Sequence, residues 1–308
     1  MGTIVIAERS AYRGRFAPSP TGLLHFGSLV AAVASRLDAR HAGGEWLIRM
    51  EDLDRPREVP GSADAILRAL EILGFTWTES IVRQSERSDL YQAALDRLLS
   101  NDLAYPCSCS RSEIQQVASP DHPEGEELRY PGWCRTQLRH RDRPYAIRLR
   151  VPDGEIAFDD RIQGRIAVDV AAEIGDFVIR RRDGLFAYQL AVVVDDASQG
   201  ITHVVRGADL LRSTPRQILL QRCLGLPTPE YAHVPVATDS SGIKLSKSAG
   251  AAAVDLNRPG EELWRALQFL RQDPPPELRR DHPAMLWDWA TGHWRLEPLS
   301  FGHAVAPV

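Results

Sequence analysis

The chain has 308 residues, of which 44% are hydrophobic and 25% charged, and its 37 Lys and Arg against 41 Asp and Glu leave a net charge of −4. That composition excludes a disordered, collagenous or fibrous chain and a strongly basic nucleic-acid coat, so any nucleic-acid contact must come from a local patch. The length suits about two domains. No apolar run reaches 18 residues, and Met1 to Arg15 lacks a signal-peptide core, so the expected compartment is the cytoplasm.

In chain order, the Ala-rich stretch Leu29 to Arg40 predicts a helix. Trp46 to Met50 predicts a short apolar strand that runs into Glu51-Asp52-Leu53-Asp54. From Ser62 to Leu73 the apolar residues fall on one helical face, and Asp89 to Leu99 repeats the pattern. Between about 100 and 185 the texture changes to prolines, clustered cysteines and short alternating runs such as Tyr145 to Arg150, which predicts an inserted β-rich module. Leu190 to Val194 is expected as an apolar strand followed by Asp195-Asp196, with another strand at Ile201 to Val205 and a helix at Pro215 to Cys223. A last apolar helix spans Leu263 to Leu270, ahead of a triple-proline break at 274–276 and a Trp-rich segment. The expected class is therefore α/β: half a sheet in 1–100, an insert in 101–187, the second half in 188–255, and a small helical appendage in 256–308.

Two segments carry chemistry. Arg15-Phe-Ala-Pro-Ser-Pro-Thr-Gly-Leu-Leu-His25-Phe-Gly27-Ser28 leads into the first helix. Pro18 and Pro20 stiffen a loop, Gly22 permits a tight turn, and His25 and Gly27 fall where unpaired N–H groups favour phosphate. About 220 residues later, Lys244-Leu-Ser-Lys247-Ser248 follows the turn Asp239-Ser-Ser-Gly242. Its two lysines and the hydroxyls of Ser246 and Ser248 suit closure over a polyphosphate.

The pairing of these motifs resembles the class I aminoacyl-tRNA synthetases. The strings Gly14-Arg-Phe-Ala-Pro-Ser-Pro-Thr-Gly22, Arg49-Met-Glu-Asp-Leu-Asp54 and Ile201-Thr-His-Val-Val-Arg206-Gly-Ala-Asp-Leu-Leu211 are similar to the glutamyl members, over about residues 12 to 255. Two departures stand out. Ser28 occupies the place of the motif's second histidine, and only 61 residues follow Lys247, where glutamyl-tRNA synthetases carry an anticodon-binding region. With the cysteine cluster, that pattern resembles the glutamyl-queuosine tRNA(Asp) synthetases.

The resemblance implies a Rossmann-like catalytic domain and a ligase that activates L-glutamate with ATP and Mg²⁺. It further implies transfer of glutamate to queuosine in tRNA(Asp) by a monomer, away from membranes. It assigns glutamate binding to Arg15, Phe16, Ala17, Pro18, Ser19, Glu51, Tyr188 and Arg206, and ATP binding to His25, Gly27, Ser28, Lys244, Ser246 and Lys247. His25 and Lys247 carry the transition-state charge. The residue types fit, since a substrate with two carboxylates suits two arginines and Glu51 suits its ammonium. The alternatives are a truncated glutamyl-tRNA synthetase charging tRNA(Glu) and a non-catalytic paralogue that binds tRNA.

Cys107, Cys109 and Cys134 lie within 28 residues. Three clustered thiolates in a reducing compartment favour structural zinc, which needs a fourth ligand. His122 is the conventional candidate, and the resemblance implies Tyr130 instead. Cys223, alone in an apolar helix, reads as core. The basic runs at Arg135 to Arg150 and Arg180 to Arg182 offer phosphate contacts, while Trp287, Trp289 and Trp294 are expected to pack within the appendage.

Overall fold

A computed structural model describes residues 12–117, 128–238 and 252–299. The strands and α-helices are, in order, β1 (Arg13–Phe16), α1 (Phe26–His41), β2 (Glu45–Met50), α2 (Ser62–Ile72), β3 (Val82–Arg83), α3 (Ser88–Ser100), β4 (Ala104–Cys107), α4 (Arg111–Gln115), β5 (Ala146–Leu149), β6 (Glu155–Asp160), β7 (Gly164–Asp169), α5 (Val170–Glu173), β8 (Val178–Arg180), α6 (Tyr188–Ser198), β9 (His203–Gly207), α7 (Thr214–Leu224), β10 (Glu230–Val234), α8 (Pro259–Phe269) and α9 (Pro283–His293).

β1, β2 and β3 pair in parallel, and so do β9 and β10. The two sets meet through Thr202, whose N–H donates to the Arg13 carbonyl at 2.9 Å and whose Oγ1 accepts from the Arg13 N–H at 2.7 Å. The spatial order is thus β3-β2-β1-β9-β10. The chain moves outward from β1 in one direction through β3 and later returns on the other side, so its direction of winding reverses between β1 and β9. Ligands of such sheets bind at that reversal, beyond the carboxyl ends of the strands.

Parallel strands covered on both faces are apolar throughout, as in β2, where Leu47, Ile48 and Met50 are all buried. One face carries α1, α2, α8 and α9 over Leu29, Val33, Leu37, Ile48, Leu70 and Leu267. The other carries α3, α6 and α7 over Leu98, Val192, Val194 and Leu220. The segment 101–187 divides between two sheets. β4, β5 and β8 form an antiparallel sheet, whereas the β6–β7 hairpin joins β10 through the Tyr231–Asp160 pair.

One element differs from expectation. Leu190 to Val194 is not a strand but the middle of helix α6, and Tyr188 opens that helix. A short apolar run without polar alternation does not distinguish a buried strand from a buried helix. Here Gln189 to Ala197 are buried on every side, which removes the amphipathic stripe that marks a surface helix. No helix among the described residues is long and apolar enough to cross a membrane.

The C-terminal helices are part of the main core. Trp287 of α9 donates its Nε1–H to the Leu73 carbonyl at 2.9 Å, and the buried Arg36 guanidinium lies 4.0 Å from its ring centre. Trp294 donates to Asp38 Oδ1 at 3.0 Å. Trp287 and Trp294 therefore pack against the catalytic body and are not available to stack on bases. Trp287→Ala is expected to cost about 3–5 kcal/mol in a denaturant melt followed by far-UV circular dichroism. A cost under about 1 kcal/mol would show that α9 is a loosely held appendage.

Candidate active site

The loop after β1 and the end of β9 frame a cavity of about 790 Å³ at the reversal point. Every described residue that the sequence assigned to glutamate or ATP lines it: Arg15, Phe16, Ala17, Pro18, Ser19, His25, Gly27, Ser28, Glu51, Tyr188 and Arg206. Lys244, Ser246 and Lys247 lie outside the described residues. A cavity of about 760 Å³, lined by His41, Arg161 and Trp289 among others, gathers none of the assigned residues.

The loop follows from its sequence. Gly22 takes φ 140°, which side-chain-bearing residues rarely adopt, and Val59 N–H ties the loop down through the Pro20 carbonyl at 3.0 Å. His25 then caps α1: its Nδ1 accepts from the Ser28 N–H at 3.3 Å. With Nδ1 as acceptor the ring proton sits on Nε2, which lies 2.9 Å from Ser28 Oγ. The Nε2–H and the first amides of α1 make a donor group suited to phosphoryl oxygens.

The two arginines differ electrostatically. Arg15 donates from Nε and Nη2 to both oxygens of Asp196, at 3.1 and 3.3 Å, so a carboxylate of the protein already offsets its charge. Arg206 is equally buried, but its described hydrogen-bond partners are neutral: His233 at 3.0 Å, Thr214 at 2.8 Å, Gln217 at 2.9 Å, the Leu210 carbonyl at 3.5 Å and the Tyr188 hydroxyl at 3.4 Å. A buried cation with no carboxylate on it favours an anion from outside.

Beneath the cavity lies a group of charges that the sequence reading left without a role. Arg49, fully buried, contacts Asp196 at 2.7 Å, Glu51 at 3.3 Å and Asp195 at 3.8 Å. Asp195 also receives Arg87 at 2.6 Å, Gln84 at 2.8 Å and the Tyr91 hydroxyl at 2.8 Å. Burial works to raise the Asp196 pKa, but Arg15 and Arg49 outweigh it and hold the group below the usual carboxylate range. At Glu51 the balance reverses: burial pushes the pKa up despite Arg49 and Arg15. Burial likewise raises that of the Tyr188 hydroxyl. The signal available in the sequence was a charged residue inside an apolar run, as with Arg49 in β2, Asp195-Asp196 after three valines, and His233 in β10.

The basic runs are largely occupied within the protein. Arg135 pairs with Asp176 at 2.6 Å, and Arg182 donates to the Ser108 and Cys109 carbonyls at 3.0 and 3.1 Å. These contacts fasten the segment that carries the cysteine cluster.

Sulfur atoms of Cys107, Cys109 and Cys134 converge with mutual separations within 4.8 Å. Tyr130 Oη lies 3.3 Å from Cys107 Sγ and 3.6 Å from Cys109 Sγ, with the Cys109 and Cys134 sulfurs 3.5 Å apart. A tetrahedral ion with metal–sulfur bonds of about 2.3 Å and a metal–oxygen bond of about 2.0 Å requires edges of roughly 3.5–3.8 Å, so the four atoms fit. Backbone N–H of Arg139 donates to Cys134 Sγ at 3.4 Å. Burial opposes ionisation of Cys134, but that bond and its neighbours bring the thiol down to about 7. His122 lies outside the described residues.

The profile described as "tRNA synthetases class I (E and Q), catalytic domain" matches residues 11–266. The chain belongs to that family. Its fold is the class I synthetase α/β catalytic fold, and its chemistry is that of a ligase working with an amino acid, ATP and tRNA. A Dechloromonas aromatica protein named glutamyl-Q tRNA(Asp) synthetase is 58% identical, over 94% of this chain and 96% of its own length. Relatives of the same name from Geobacter sulfurreducens and Pseudomonas aeruginosa are 56% and 53% identical, over 96% and 92% of this chain and 95% and 94% of their own lengths. The solved glutamate-tRNA synthetase of Elizabethkingia anophelis superposes with a TM-score of 0.80 at 28% identity, covering 98% of this chain and 68% of that one.

For the cysteine cluster of this synthetase-family chain, titration with Co²⁺ is expected to saturate at about one equivalent, with the sulfur-to-metal absorption of a tetrahedral thiolate site. Cys109→Ser should abolish that band. An octahedral spectrum, or no uptake, would contradict a tetrahedral sulfur-rich site.

Proposed function

We propose that this chain couples ATP hydrolysis to AMP and pyrophosphate with the attachment of L-glutamate to queuosine in tRNA(Asp). The observation that carries the substrate assignment is Arg206, a buried guanidinium held by neutral groups at the cavity that also presents Arg15 and Glu51. Arg15 and Arg206 meet the two carboxylates of glutamate, Glu51 accepts from its ammonium, and Tyr188 supports Arg206. The acceptor assignment is supported by the printed names of relatives matched over nearly their whole length.

In the first step a glutamate carboxylate oxygen attacks the α-phosphorus of ATP in line and pyrophosphate leaves. Protein assistance is positional and electrostatic. His25 Nε2–H, the amides opening α1, and Gly27 and Ser28 receive the phosphate chain. Lys244, Ser246 and Lys247 are assigned to the same charge, and Mg²⁺ accompanies the phosphates. In the second step a hydroxyl of the queuosine cyclopentene diol attacks the acyl carbonyl and AMP leaves, forming an ester. That diol resembles the ribose diol esterified in ordinary charging, so no new catalytic group is needed.

We assign residues 1–100 and 188–255 to the catalytic body, 101–187 to the inserted module and 256–308 to the helical appendage. Zinc is the ion we assign to Cys107, Cys109, Cys134 and Tyr130, with a structural role that clamps the insert.

Incubation with ATP, labelled glutamate and purified tRNAs tests the acceptor. Label should enter tRNA(Asp) that contains queuosine as an alkali-labile ester, and periodate treatment of the diol should abolish acceptance. Robust labelling of tRNA(Glu) at its 3′ end would overturn the assignment. A second expectation concerns pH. Only ionised Glu51 accepts from the substrate ammonium, and burial raises its pKa above the ordinary carboxylate value. The KM for glutamate should therefore rise on acidification, starting above the pH at which a solvated glutamate of pKa about 4.3 titrates. Glu51→Gln should raise KM and flatten this acid limb. An unchanged limb in that variant would remove Glu51 from the ammonium site.

A further inference from the structure

We propose that Asp160 and His233 form a tautomer lock that aims Arg206 into the cavity and keeps its charge available, making this pair a determinant of carboxylate over carboxamide recognition. The recognition part rests on the glutamate reading above, whereas the lock rests on geometry alone.

Asp160 ends β6, at the turn of the β6–β7 hairpin. Its Oδ1 accepts from the N–H groups of Ile162 at 3.0 Å, Gln163 at 2.8 Å and His233 at 3.2 Å. These bonds fix the carboxylate and leave Oδ2 facing His233 Nδ1 at 2.6 Å, with both side chains fully buried. A carboxylate accepts only, so Nδ1 carries the ring proton. His233 Nε2 then presents its lone pair, and the Arg206 Nε–H donates to it at 3.0 Å. Burial pulls the His233 pKa down and favours the neutral ring that this arrangement needs.

The rest of the guanidinium is set in the same way. Nη2 donates to Thr214 Oγ1 and Gln217 Oε1 at 2.8 and 2.9 Å. Nε and Nη2 are thereby spent on protein acceptors along one edge of a rigid plane. The Nη1 edge points to the Tyr188 hydroxyl at 3.4 Å and to the cavity that both residues line. One Nη1 hydrogen has no acceptor among the described residues.

The imidazole also acts as a spacer. Asp196 touches Arg15 directly and offsets its charge. Asp160 is held one ring away from Arg206, so Arg206 is oriented without being neutralised. A ligand carboxylate gains that ion pair, and a carboxamide does not.

Two readouts on the full-length protein test this. Nitrogen-15 spectra of histidine-labelled protein without substrate should show His233 as the neutral Nδ1–H tautomer. In Asp160→Asn the amide oxygen keeps the backbone donors and its NH₂ faces Nδ1, so the ring should switch to Nε2–H, donor against donor at Arg206. In ATP–pyrophosphate exchange, Asp160→Asn and His233→Leu should raise the glutamate KM about tenfold or more, leave the ATP KM within about twofold, and narrow the preference for glutamate over glutamine. His233→Gln, whose Oε1 can accept from Arg206 Nε–H, should stay within about threefold of the unmodified protein. An Nε2–H ring or an imidazolium in the unmodified protein would overturn the lock. Equal rises in both KM values, or no rescue by glutamine, would reduce the pair to a scaffold. A correct tautomer in a protein that does not activate glutamate would remove the glutamate reading and leave the lock standing.

Discussion

The catalytic end of this molecule depends on a buried group of three arginines and three carboxylates. Arg15, Arg49 and Arg87 alternate with Glu51, Asp195 and Asp196, and the innermost, Arg49, is fully buried. No member is tolerable alone, because an unpaired charge at that depth is strongly destabilising. Together they tie β1, β2, α3 and α6 into one geometry. They also require α6 to be a helix, since Asp195 and Asp196 are consecutive residues that serve Arg87 and Arg15 on different elements.

The chemistry of the pocket follows from how the last cations are treated. Arg15 is committed to Asp196, so it contributes position more than free charge. Arg206 sits outside the balanced group and is held by neutral groups, so the cavity keeps an attraction for anions. Glu51 supplies the opposite sign at the same cavity, held near its protonation threshold by burial. One cation left unmatched and one carboxylate left partly unpaired, at the reversal of a parallel sheet, make a site for a charged amino acid beside a helix N-terminus suited to phosphate. Family membership supplies the reaction class, and the charge pattern supplies the reason for glutamate.

Much of this was legible before any coordinates. The Pro-rich loop, His25 and α1 were readable because their signals are local: proline and glycine punctuation, then a helix-forming run. The cysteine cluster was readable because metal ligands of one knuckle lie close in sequence. Helix α6 was not, because its burial on all sides erased the periodicity that separates helix from strand. Arg49 and Asp196 were not, because their meaning lies in each other, 147 residues apart. The same holds for Asp160 and His233, which look like an ordinary strand end and a core histidine until β6 and β10 are set side by side.

The central claim is that the unmatched charge of Arg206 selects glutamate. The direct measurement is ATP–pyrophosphate exchange without tRNA, comparing glutamate with glutamine on the unmodified protein and on Arg206→Leu. The account predicts that the unmodified protein favours glutamate by about a hundredfold or more in kcat/KM, and that Arg206→Leu loses most of that preference along with most of its activity. Comparable exchange with both amino acids, or a preference that survives in Arg206→Leu, would contradict it.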